Sequence, residues 1–189
     1  MRLLQASLQR YASAEARALL PWLRGPRLLD LGAGEGWVAE ALQRRAPIWV
    51  CAADVGPFGL AAGPYVVYDG TRLPFGNRSF DTTLLSFVLH HTETPEIVLD
   101  EAVRVTRGRL LVVESVYRDC LERFWLDLLD GRVNRYRHGG RMSVPFAFRR
   151  PEEWRALFES RGLRVVATEW LGSRLEQLVH HPVLFVVNT

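Results

Sequence analysis

The chain has 189 residues, 48% of them hydrophobic, a mean hydropathy of -0.02 and a net charge of +3. These values describe one soluble globular domain and exclude a disordered or fibrous chain, and no apolar stretch approaches the roughly 18 residues of a membrane helix. The charge is too weak to indicate nucleic acid, every basic side chain is arginine, and the distant Cys51 and Cys120 fit neither a disulfide framework nor a zinc site.

Residues 1–23 predict an amphipathic helix. Gln5, Gln9, Arg10 and Glu15 interrupt any signal-peptide core, which predicts a cytoplasmic protein with residues 1–25 as an N-terminal helical cap. Short apolar runs at 27–31, 48–54, 65–68, 81–87 and 109–116 then alternate with helical patterns. Near-continuous hydrophobicity of this kind suits parallel strands covered on both faces. The helices read at 37–45 and at 96–105, the second with Thr94 as N-cap and Pro95 at its first position. Between the second and third runs, "VGPFGLAAGP" is too rich in Gly and Pro for a full crossover helix. A helical stretch at 120–130 leads into the arginine-rich segment 131–150, so 116–150 reads as an insertion or lid. The helix 151–162 and strands at 163–171 and 183–189 complete the chain.

The sequence "LLDLGAGEGW" (28–37) places a glycine turn after the first strand, with Gly32 and Gly34 where positive φ or close ligand approach is needed. A dinucleotide turn would carry a third glycine at position 37, which is Trp37. Asp30 and Glu35 would repel a pyrophosphate by several kcal/mol in a partly desolvated site. S-adenosylmethionine carries no phosphate but has a cationic ammonium and sulfonium, so the same acids attract it. Asp30, Asp54, Asp69, Ser86–His91 and Glu114–Tyr117 all fall at strand carboxyl ends, where open parallel sheets bind ligands.

With "LLDLGAGEGWVAEAL", Asp54 and the segment from "YDGTRLPFGN" through "RLLVVE", residues 27–116 resemble the class I S-adenosylmethionine-dependent methyltransferases, especially the small-molecule, ubiquinone/menaquinone-biosynthesis-like group. The resemblance implies an α/β fold: a Rossmann-like, doubly wound, three-layer α/β/α arrangement whose mostly parallel sheet ends in an antiparallel strand. It implies a cofactor site of Asp30, Gly32, Ala33, Gly34, Asp54, Val55, Asp69, Gly70, Ser86 and Phe87. Asp30 and the loop would seat the methionine part, Asp54 the ribose hydroxyls, and Asp69 with Gly70 the adenine. Tyr11 is placed to close over the cofactor. The acceptor implied is a small molecule.

Bland readings stand beside these. Asp54 can cap the following segment, Asp69 can be a turn residue, and Phe87 can be core. His90 and Glu114 are weak candidates for general base or acid. Adjacent His90 and His91 on a strand end would point to opposite sides, which argues against a metal site, and an arginine is the expected partner of Glu114. Two alternatives remain open: a cofactor-binding regulatory protein without catalysis, and a methyltransferase acting on RNA or protein through the arginine-rich segment. Nucleic acid is the less favoured acceptor, and oligomeric state is not legible.

Overall fold

A computed structural model of the chain describes residues 2–128, 147–172 and 181–189. The helices are α1 (Arg2–Leu19), α2 (Trp37–Gln43), α3 (Pro95–Val105), the described part of α4 (residues 120–128) and α5 (Pro151–Ser160). The strands are β1 (Arg27–Leu31), β2 (Trp49–Asp54), β3 (Tyr65–Val67), β4 (Phe80–Ser86), β5 (Thr106–Ser115), β6 (Arg164–Trp170) and β7 (Pro182–Asn188).

These strands form one sheet in the order β3-β2-β1-β4-β5-β7-β6. Strands β1 to β5 run parallel, and β7 inserts antiparallel between β5 and β6. Side chains alternate across the pleat, so successive residues of one apolar run serve opposite layers. Leu29, Leu31, Cys51, Ala53, Leu110 and Val112 pack with α3 and α5 through Leu99, Ala102, Trp154 and Phe158. Leu28, Val50, Leu84, Leu111 and Val113 pack with α1 and α2 through Ala16, Leu19 and Leu42. That double covering is why the runs are apolar throughout.

The start of the fifth strand differs most from the sequence reading. β5 starts at Thr106 because α3 runs straight into it. The hydroxyl of Thr106 is buried and bonds to the carbonyl of Ala102 and to Thr83, so the strand begins before the apolar run at 109–116. Thr94 occupies the N-cap position of α3, but its side chain makes no capping bond. Between β2 and β3, residues 55–64 contain no helix, as the Gly and Pro content predicts. Of the insertion or lid expected over 116–150, residues 129–146 lie outside the described residues, among them Arg132 and Tyr136. Among the described residues no helix is long and apolar enough to cross a membrane.

Candidate functional site

Strand order reverses between β1 and β4, which opens a crevice beyond their carboxyl ends. The glycine turn lies there, and its backbone explains its composition. Gly32, Gly34 and Gly36 have φ of 75°, 53° and 82°, all in the left-handed region that disfavours a side chain. At Gly32 a Cβ would also lie 2.4 Å from Cγ2 of Val88, whereas at Gly34 it would meet nothing within 4 Å. The first glycine is therefore required by packing, and the second faces open space. Helix α2 begins at Trp37, with Gly36 as its N-cap.

Asp54, the last residue of β2, ties this turn down. Its Oδ2 accepts the Gly34 N–H at 2.8 Å and its Oδ1 the Val55 N–H at 2.7 Å. The Ala53 carbonyl accepts the N–H groups of Gly32 and Ala33 at 2.7 and 3.2 Å, and the Glu35 carbonyl accepts those of Leu60 and Ala61. Tyr65, the first residue of β3, packs against the same segment. Its hydroxyl donates to the carbonyls of Gly34 and Gly56, and a Cβ at Gly59 would lie 2.7 Å from its ring. The glycine turn and the shortened crossover thus form one hydrogen-bonded rim.

The ends of β2 and β3 also meet, since a Cβ on Gly70 would lie 3.3 Å from Cγ1 of the exposed Val55. Asp69 is exposed beside them. Its Oδ1 accepts the Thr71 N–H and hydroxyl and the Arg72 N–H, which holds its carboxyl below the usual range. It therefore organises its own turn, as an Asp-Gly step commonly does.

Below the turn lies an acidic pair that only half emerges from the sequence. Asp30, inside β1 and 2% exposed, faces Glu15 of α1, which is 5% exposed. The Ser86 hydroxyl at the end of β4 donates to Oε1 of Glu15 at 2.5 Å. Burial pushes the carboxyl of Glu15 up to about 7. The same burial, with the charges of Glu15 and Asp54, pushes that of Asp30 up to about 7. Among the described residues no arginine forms an ion pair with either acid. Glu15 was read from the sequence only as an interruption of an apolar stretch. The available signal was its place among Ala12, Ala16 and Leu19, all buried on one face of α1.

One turn before Glu15, Tyr11 approaches Phe87, with ring centroids 6.3 Å apart. Phe87 has φ of 56°, an uncommon conformation for a bulky residue, and its N–H bonds to the Val113 carbonyl at 2.8 Å. Tyr11 and Phe87 thus stand side by side at the end of β4.

His90 and His91 do not lie on a strand end. They sit on the 3-10 turn Leu89–His91 with ring centroids 4.0 Å apart, because the chain turns sharply after Phe87. Glu114 is fully buried, and its partner is not an arginine. Its Oε2 pairs with Nδ1 of His90 at 2.5 Å, and its Oε1 accepts the Leu89 N–H at 2.7 Å. Phe148 stacks on His90 at 4.7 Å. The pair joins the ends of β4 and β5 inside the protein. Among the described residues no group of three His, Cys, Asp or Glu side chains is spaced to hold a metal.

Residues 29–112 match a family model described as a methyltransferase domain. Over those residues the chain is similar to methyltransferase domains. The family match runs from Leu29 in β1 to Val112 in β5, and so spans the glycine turn, Asp54, Asp69 and Ser86. A demethylmenaquinone methyltransferase of Mycobacterium bovis (strain BCG / Pasteur 1173P2) is 40% identical over 112 residues, 56% of this chain and 47% of that protein. The chain therefore spans about half the length of such curated relatives. A SAM dependent methyltransferase from Aquifex aeolicus shares the fold of this chain, with a TM-score of 0.67, 16% identity, and coverage of 96% of this chain and 93% of the other. The [4+2]-cyclase SpnF also shares it, with a TM-score of 0.71, 15% identity and coverage of 94% and 80%. The fold alone therefore does not fix the reaction, which rests on the site.

Proposed function

We propose that this chain transfers the methyl group of S-adenosylmethionine to a nucleophile on a small molecule, with a quinone precursor as the acceptor class suggested by its relative's name. The observation that carries the donor is the charge of its seat. Glu15, Asp30 and Asp54 crowd the carboxyl ends of β1, β2 and β4, and among the described residues no arginine pairs with Glu15 or Asp30. A pyrophosphate meets repulsion there, and a donor bearing an ammonium and a sulfonium meets attraction.

The residues fit that donor by their chemistry. The turn at Gly32, Ala33 and Gly34 offers close backbone approach, and the space over Gly34 is open. Asp54 takes the ribose hydroxyls, since each carboxylate oxygen has two lone-pair positions and can serve a hydroxyl besides the loop. Val55, Asp69 and Gly70 flank the adenine, while Asp30, Ser86 and Phe87 border the methionine end. Held by the glycine turn, Asp30 and Asp54, S-adenosylmethionine would supply an electrophilic methyl group for transfer to the acceptor. The protein's own task is proximity and alignment. His90 and Glu114, packed beneath Phe148, serve as positioning residues for the ends of β4 and β5.

The test combines titration calorimetry with S-adenosylmethionine and mass spectrometry of a demethylated quinol incubated with both. Saturable binding and a single added methyl are expected. Binding without transfer to any of a panel of quinols and phenols would instead favour a regulatory protein.

A further inference from the structure

We propose that Glu15, delivered by α1, determines the charge selectivity of the donor site, so that the cationic sulfonium donor binds more tightly than its neutral thioether product. This inference rests on the donor reading above and adds to it a residue outside the matched region 29–112.

The position comes first. Glu15 bonds to Ser86, the last residue of β4, and Tyr11 one turn earlier meets Phe87, the next residue. Two consecutive residues at the strand-order reversal are thus engaged by one face of one helix. The choice of residue comes second. A helix-to-strand tether from position 15 to a serine hydroxyl needs only an acceptor, and glutamine provides one without a charge. A glutamate is instead buried facing Asp30 of β1, with Asp54 of β2 close enough to raise the carboxyl of Asp30 further. Among the described residues the polar groups found near Glu15 are a serine and acids. The chain has 24 basic residues, and none of those described pairs with Glu15 or Asp30. Asp30 accepts a hydrogen bond from the Ala39 amide. A bound cation balances such an arrangement.

Third, the reaction itself changes that balance. Donor and product share adenosine, ammonium and carboxylate, and they differ by the positive charge on sulfur. An acidic seat thus favours the donor and weakens as the methyl leaves, which promotes release of the product.

The test measures binding of S-adenosylmethionine and S-adenosylhomocysteine to the full chain and to Glu15→Gln by calorimetry at pH 8. The wild type is expected to prefer the donor, and the variant to lose about tenfold of that preference while its affinity for the product changes little. In the unmutated chain the preference is expected to fall from pH 8 to pH 6 as the pair takes up a proton, a readout that does not depend on the variant folding. An equal loss for both ligands in Glu15→Gln, or a preference independent of pH, overturns the inference and leaves the donor reading standing. Failure of the folded wild type to bind either ligand overturns the donor reading, and this inference with it.

Discussion

Replacing Glu15 by glutamine should stabilise the protein in the absence of ligand, and only at the upper end of the pH range. A carboxyl whose pKa rises from an ordinary 4.5 to about 7 on folding binds its proton more tightly in the folded state. Below pH 4.5 it is protonated in both states and costs nothing. As pH rises toward 7 the unfolded chain ionises first and stability is lost, and above the folded value the full cost, about 3 kcal/mol, is present. Glutamine keeps the bond from Ser86 and removes that cost, and it also removes one charge acting on Asp30. For a chain of this size each kcal/mol moves the midpoint by about 2–4 °C, so the gain at pH 8 should be near 6–12 °C. Thermal unfolding followed by circular dichroism at pH 5 and pH 8, on wild type and variant without ligand, measures it. A variant equally destabilised at both pH values would refute the reasoning, because Glu15 would then be an ordinary structural acceptor.

The glycine turn and the buried dyad give further predictions. Gly32→Ala should cost about 3 kcal/mol in urea unfolding, from left-handed strain and the clash with Val88, while Gly34→Ala should cost about 1 kcal/mol from strain alone. Equal costs would contradict the reading that packing fixes only the first. Glu114→Ala removes the shared acceptor of the His90 ring and the Leu89 N–H, and a loss of about 3–5 kcal/mol is expected in the same assay. A loss below about 1 kcal/mol would mean the dyad does not hold the strand ends together.

Much of the site is legible locally. A strand, a turn that needs positive φ and an acid at the next strand end are short-range features, and Gly32, Gly34 and Asp54 follow from them. Asp69 shows where the same locality is ambiguous. Its Asp-Gly step marks both a ligand-binding turn and an ordinary one, and Oδ1 is committed to Thr71 and Arg72. Glu15 lay beyond such reasoning because its partner Ser86 is 71 residues away, and only the packing of α1 on the sheet brings them together. Glu114 illustrates the reverse error. With 24 basic residues in the chain an arginine was the natural partner, but the 3-10 turn after Phe87 brings His90 under the strand end. β5 was read too short because Thr106 and Arg107 look polar, although the Thr106 hydroxyl is satisfied inside the fold.

Titration of S-adenosylmethionine into the folded chain and into Asp54→Ala bears most directly on the central claim. Asp54 both tethers Gly34 and stands where the ribose hydroxyls are proposed to bind, so its loss should weaken binding by about 10- to 100-fold while the fold persists. No heat of binding with the folded wild type, or an affinity unchanged in Asp54→Ala, would contradict the account.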